Sequence, residues 1–151
     1  MVTEKGATVV EDRRVRAAQR VLNQAIAEKA VKAALAKAAE LGTSMSVAVV
    51  DESGTLVYFI KGDATGLHTF ETARGKAITA AAFRRPTTEM LDSIRNNPAF
   101  WASLGRLEMV PGAGGYPLTR DGVLIGAIGC GGGIGDHDEQ CAEAGARAVN
   151  S

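Results

Sequence analysis

Tyr116-Pro117-Leu118-Thr119-Arg120-Asp121-Gly122-Val123-Leu124-Ile125-Gly126-Ala127-Ile128-Gly129 holds an Asp-Gly pair between two apolar runs. Asp-Gly readily takes the positive φ values of a two-residue hairpin turn, so residues 116–120 and 123–129 read as paired antiparallel strands. Just upstream, Pro111-Gly112-Ala113-Gly114-Gly115 forbids regular helix, and Leu107–Val110 reads as one more strand. Earlier in the chain, Ser46-Val47-Ala48-Val49-Val50-Asp51 is rich in β-branched residues. It is followed by the turn signal Asp51-Glu52-Ser53-Gly54 and a second apolar run, Thr55–Lys61, which predicts another hairpin.

The segments around these hairpins follow a helical period. From Asp12 to Leu41 the sequence is Ala-rich and free of Gly and Pro, with Val15, Ala18, Leu22, Ala25 and Ile26 at helical spacing, and Gly42 ends it. Leu67–Arg84 is predicted helical, with Phe70, Ala73, Ala77, Ile78 and Ala81 on its buried side, and Pro86 closes it. Thr87 or Thr88 is positioned to cap a short helix reaching Asn96, and Pro98, Phe100 and Trp101 mark a compact aromatic connection. In the last helix Asp136 and Glu139 have the N-cap to N3 spacing of a capping-box variant. Residues 1–11 lack a period and read as an arm, leaving 12–151 as one domain. The order helix, hairpin, helices, hairpin, helix defines an α+β fold with a mostly antiparallel sheet.

Composition narrows the function classes. A chain of 151 residues, 46% hydrophobic and 23% charged, is expected to fold as a single globular domain. Lys plus Arg equals Asp plus Glu at 17 each, so no global field recommends nucleic acid or an anionic membrane as partner. The two cysteines, Cys130 and Cys141, have neither disulfide-framework nor zinc spacing, and no apolar run is long enough to span a bilayer. A soluble cytoplasmic protein is the expectation. The glycine run Gly129–Gly135 misses the dinucleotide spacing, and the chain has no phosphate loop, His-Glu-x-x-His motif or Gly-x-Ser-x-Gly elbow.

What survives is a small set of polar residues. His68 and His137 are the chain's two histidines, and each stands at a predicted helix start, where the dipole favours a neutral imidazole able to ligate metal or exchange protons. The plain alternative for both is a surface or capping role. Lys76 shares a helical stripe with Thr69, Thr72 and Thr79, suited to hold a carboxylate if that stripe is not simply solvated. Gly114-Gly115-Tyr116-Pro117 and the glycines at 131–133 allow close backbone approach to a ligand, or tight strand geometry alone. Asp138 and Glu139 beside His137 are candidate acid/base groups, although an acidic first turn also suits the helix dipole.

Taken together, Val47–Asp51 with Gly54, Ala73-Arg74-Gly75-Lys76-Ala77 with Thr79-Ala80, Phe83 and Pro86-Thr87, Gly114-Gly115-Tyr116-Pro117, Gly126–Gly129, Asp138-Glu139 and Ala144-Gly145 resemble the GlcG/HbpS-like family over roughly residues 14–149. The resemblance implies a profilin-like α-β-α sandwich with a five-stranded antiparallel sheet, and self-association from dimer to octamer. It also implies a tetrapyrrole ligand, heme or a corrinoid, and places the family's recurrent Lys at Lys76 and its Gly-Gly-x-Pro segment at Gly114, Gly115 and Pro117. This chain departs in carrying His137 where relatives often have Gln, and Cys130-Gly131 where many have a residue followed by Ser.

Two functions follow as expectations. In the first, a tetrapyrrole-binding protein, His68, Thr72, Lys76, Gly114, Gly115, Tyr116 and His137 form the cofactor site and His68 or His137 ligates the metal. In the second, a small cofactor-independent isomerase, lyase or hydratase, His68, His137, Asp138 and Glu139 move protons on a compact carbonyl or carboxylate compound, with a divalent metal as a possible aid. A third reading, an accessory subunit, rests on assembly through the Ala-rich first helix and exposed strand edges.

Overall fold

The structure, a computed structural model, describes residues 21–134 and 136–151. The expected arm at 1–11, the helical positions Val15 and Ala18, and Gly135 lie outside them. The first described helix, α1, is Gln24–Glu40. It begins where Asn23, in extended conformation, accepts the Ile26 N–H at 2.8 Å, so Val21–Asn23 are non-helical and one unbroken helix from Asp12 is ruled out. Its buried side is Ala27, Ala30, Val31, Ala34 and Ala38, while Ala25, one of the residues at helical spacing, is exposed. Gly42, at φ 68°, ends it as expected.

The first hairpin is β1 (Ser46–Asp51) and β2 (Leu56–Ile60). Asp51 closes its turn by accepting the Ser53 and Thr55 N–H groups at 2.9 and 3.0 Å. Next comes α2 (Thr69–Phe83), which stops at Arg84 in left-handed conformation two residues before Pro86. The 3₁₀ turn Thr87–Met90, α3 (Leu91–Asn96), α4 (Pro98–Ser103) and the 3₁₀ turn Leu104–Leu107 form an excursion. Neither threonine caps a helix there; the Thr87 hydroxyl accepts the Gly115 N–H at 2.9 Å instead.

The second hairpin joins β3 (Gly115–Arg120) to β4 (Val123–Gly131), turning at Asp121 (φ 52°) and Gly122 (φ 75°). The chain ends in α5 (His137–Val149). The sheet order is β2-β1-β4-β3, antiparallel throughout, which makes four strands among the described residues where five were expected. The apolar Leu107–Val110 run supplies no strand, because the Val110 N–H is taken by Gly75 O (3.3 Å) and Thr79 Oγ1 (3.1 Å) of α2. Among the described residues no helix is long and apolar enough to cross a membrane.

Helices cover both faces of the sheet. On one, α1 and α5 enclose Val47, Val49, Leu118, Ile125 and Ile128 with Met45 and both cysteines. On the other lies α2, packed by Ala77, Ala80 and Ala81 on Val50 and Ala127. Towards the far end of β4 the sheet is bare of side chains, where Gly115 and Gly129 are cross-strand partners and Gly131 follows on the same face. A Cβ on Gly129 would collide with the Ala73 carbonyl oxygen, and one on Gly115 with that of Lys76. The absence of side chains therefore sets how closely α2 approaches. At the outer edge of β3, Asn150 Nδ2 donates to Pro117 O and its Oδ1 accepts the Thr119 N–H, while Ser151 exchanges backbone bonds with Thr119 and Gly122. The outer edge of β2 has no strand partner among the described residues.

Gly129→Ala should lower stability by about 3 kcal/mol, since backbone atoms have to move. Gly105→Ala, in open space, should be neutral. Denaturant melts check both, and equal midpoints for the two variants would contradict the close approach of α2.

Candidate functional site

Because α2 lies so near the sheet, Lys76 reaches around the end of β4. Its Nζ donates to Cys130 O at 2.9 Å and to Asp138 Oδ2 at 2.6 Å. Asp138 belongs to α5, in the opposite helical layer, so this pair ties the two layers together across the sheet end. Its side chains are 10% and 15% exposed. The other carboxylate oxygen, Oδ1, accepts the Gly133 N–H at 2.8 Å and pins the glycine loop. Gly114, at φ 117°, packs under Asp138: a Cβ there would lie 2.8 Å from Asp138 Cβ. The expected capping box is not formed, since Asp136 makes no capping hydrogen bond.

Beside the pair opens a cleft of about 380 Å³. One wall is the loop Asp63–Gly66 with His68, the other is Gly132 and Gly133, and Thr69, Thr72, Lys76 and Asp138 lie between them. Three hydroxyls hold the first wall: Ser46 Oγ lies 2.8 Å from Thr69 Oγ1 and 3.1 Å from Thr65 Oγ1. The Lys61 ammonium reinforces it by donating to Thr65 O at 2.6 Å. His68 is the N-cap of α2, but its side chain makes no capping bond and is exposed. Next to the two walls stand Leu67, 89% exposed, and Ile134, 83% exposed. The cleft lining is thus mostly polar, and these two exposed apolar residues adjoin its walls in sequence.

The structure brings His68, Thr72, Lys76 and Asp138 to this one cleft. The Lys76 stripe is not solvated: Thr69, Lys76 and Thr79 are all buried. His137 does not line the cleft; its Cβ lies behind Gly133, and its Nδ1 is buried without a partner among the described residues. Gly114 and Gly115 lie beneath the ion pair and Lys76 rather than in the cleft. Tyr116 faces the other layer, where its hydroxyl donates to Glu139 Oε1 at 2.8 Å. Burial and that carboxylate push the Tyr116 phenol well above its ordinary range. Among the described residues no three His, Cys, Asp or Glu side chains cluster as metal ligands. Both cysteines are buried, and burial raises both thiols, Cys141 to about 11, which leaves little thiolate to act as nucleophile.

The wall at 62–66 was not among the expected site residues. Its signal was two glycines spaced by Asp63, Ala64 and Thr65, the second of them two residues before a histidine.

A four-stranded antiparallel sheet between helical layers, with a polar cleft at the sheet end and a histidine on its rim, defines a compact α+β domain with a single-ended site. The chain belongs to the HbpS-like family, whose model, described as haem degrading protein HbpS-like, matches residues 22–147. It is 33% identical over 121 residues to corrinoid adenosyltransferase PduO of Salmonella typhimurium, covering 79% of this chain but 36% of that protein. The crystal structure of HbpS superposes with a TM-score of 0.79 at 34% identity, covering 87% of this chain and 92% of the other. A PduOC:heme complex superposes with a TM-score of 0.77 at 31% identity, covering 86% and 96%.

Lys76→Met should cost about 3–5 kcal/mol by leaving Asp138 buried without its cation. Adding Asp138→Asn to it should recover a measurable part of that loss in thermal melts. A single variant as stable as the parent would mean the pair does not join the layers.

Proposed function

We propose that this chain binds heme, with His68 as the axial ligand to iron. The carrying observation is His68 itself, an exposed imidazole with no capping bond that lines the cleft beside Thr72 and Lys76. The heme complex solved for a relative of the same fold supports the choice of ligand. The donor set fits the group: imidazole suits iron, Leu67 and Ile134 offer apolar surface to a macrocycle, and Thr72 with the Lys76 ammonium offers donors to a carboxylate edge. Lys76 spends two of its three N–H groups on Cys130 O and Asp138, so it contributes one donor to the ligand and little net charge. When bound, heme supplies one-electron and diatomic-ligand chemistry, and the protein contributes the ligand and its orientation.

His68 is preferred to His137 as ligand because His137 lies outside the cleft with a buried ring nitrogen. The corrinoid reading leans on the name of PduO relatives of which this chain spans about a third, and a divalent metal lacks a ligand cluster among the described residues. For proton transfer, Asp138 is committed to Lys76 and Gly133, and Glu139 to Tyr116, so the small-enzyme reading draws less support. Two free, buried cysteines suit a reducing, cytoplasmic setting.

Hemin titrated into the apoprotein should give a saturable Soret band that His68→Ala shifts and weakens by at least about tenfold in affinity, while His137→Ala leaves it near the parent. Cobalamin in the same assay should not compete. A band unaffected by His68→Ala removes the ligand assignment.

Self-association belongs to the same proposal, supported by the open β2 edge with Leu56 and Ile60 37% and 36% exposed. Light scattering at micromolar concentration should report an oligomer, and a strict monomer contradicts it.

A further inference from the structure

His68 is reached through Gly66-Leu67, and its imidazole folds back over Gly66. A Cβ on that glycine would lie 2.6 Å from His68 Cε1 and 2.7 Å from Nδ1. Gly66 does not adopt positive φ, so the turn itself does not require glycine; what the ring requires is the missing methyl group. On the other side of His68, Thr69 holds Gly66 in place, its N–H and its hydroxyl both donating to Gly66 O at 3.1 and 2.7 Å. That hydroxyl is buried and sits 2.8 Å from Ser46 Oγ, which accepts the Gly62 N–H at 3.0 Å. Thr65 Oγ1 in turn donates to Gly62 O at 2.7 Å.

The protons have a consistent assignment. Thr65 gives its own to Gly62 O and Thr69 gives its own to Gly66 O, which leaves Ser46 to donate to Thr69. The first residue of β1, the 62–66 loop and the first residue of α2 are thereby joined through three hydroxyls. None of these groups is the ligand, yet together they fix the strand end, the loop and the helix start from which the imidazole projects.

We infer that Gly66 and the Thr69 hydroxyl are positioning residues for His68, the glycine by leaving the space the imidazole occupies and the hydroxyl by locking the Gly66 carbonyl. This deepens the reading of His68 as the iron ligand and rests on it. A methyl group at residue 66 meets the far end of a rotatable side chain rather than backbone, so Gly66→Ala moves the ring without disturbing the core.

The chain has only two histidines, so a His137→Gln background leaves one imidazole to observe by proton NMR. In that background Gly66→Ala should shift the His68 Cε1–H resonance with the thermal midpoint unchanged. Hemin should leave about tenfold faster, with a changed spin-state spectrum. Thr69→Val should act in the same direction, and Thr69→Ser should restore the parent resonance. An unmoved resonance in both Gly66→Ala and Thr69→Val, or an unchanged hemin off-rate, overturns the inference. Should the parent take up no hemin at all, the heme reading fails by itself, and the resonance still decides whether Gly66 and Thr69 place the ring.

Discussion

An ammonium on one side of the sheet meets a carboxylate from the other, and the site is arranged around that meeting. Lys76 and Asp138 lie in opposite helical layers and touch at 2.6 Å past the end of β4. Desolvating two charges is costly, and the contact persists because both partners have further bonds: Cys130 O for the ammonium and the Gly133 N–H for the carboxylate. Those extra bonds place the neighbouring backbone. The end of β4 is held from the α2 side, the glycine loop from the α5 side, and the cleft is the space between that loop and the 62–66 loop.

The pair is possible only because α2 comes down onto glycines. Gly115, Gly129 and Gly131 leave the α2 face of the β3 and β4 ends without side chains, and the helix backbone occupies the room. A lysine extending from a helix at ordinary distance would not both reach Cys130 O and remain buried. The cleft thus inherits its polar floor from a packing choice made several residues away. Exposed apolar surface comes from the loops next to it, where Leu67 and Ile134 face solvent.

Most of the fold is legible in the sequence, because hairpins and breaks are local events. Asp121-Gly122 can do little but turn, Gly42 ends α1, and Arg84 with Pro86 ends α2. Features set by distant partners are not legible in this way. Leu107–Val110 has a strand's composition, but its last residue, Val110, gives its backbone bonds to α2. Asp136 and Asp138 are equally good first-turn acids in one dimension, and Lys76, sixty-two residues away, decides which is used. The stripe of Thr69, Thr72, Lys76 and Thr79 was visible from its spacing, whereas its burial depends on the glycine floor of the other hairpin. The separate fates of the two histidines rest on which loop each one borders, and spacing does not encode that.

The two rims of the sheet are treated unequally. Along β3 the last two residues lie down and occupy the free backbone groups, while along β2 those groups have no strand partner among the described residues. A body with a single sticky side can join only one neighbour through it, by a two-fold that uses up both sides at once. Strand addition through β2 would therefore stop at a pair and not run on into a fibre. Any larger assembly would have to use other surfaces, the helical faces among them.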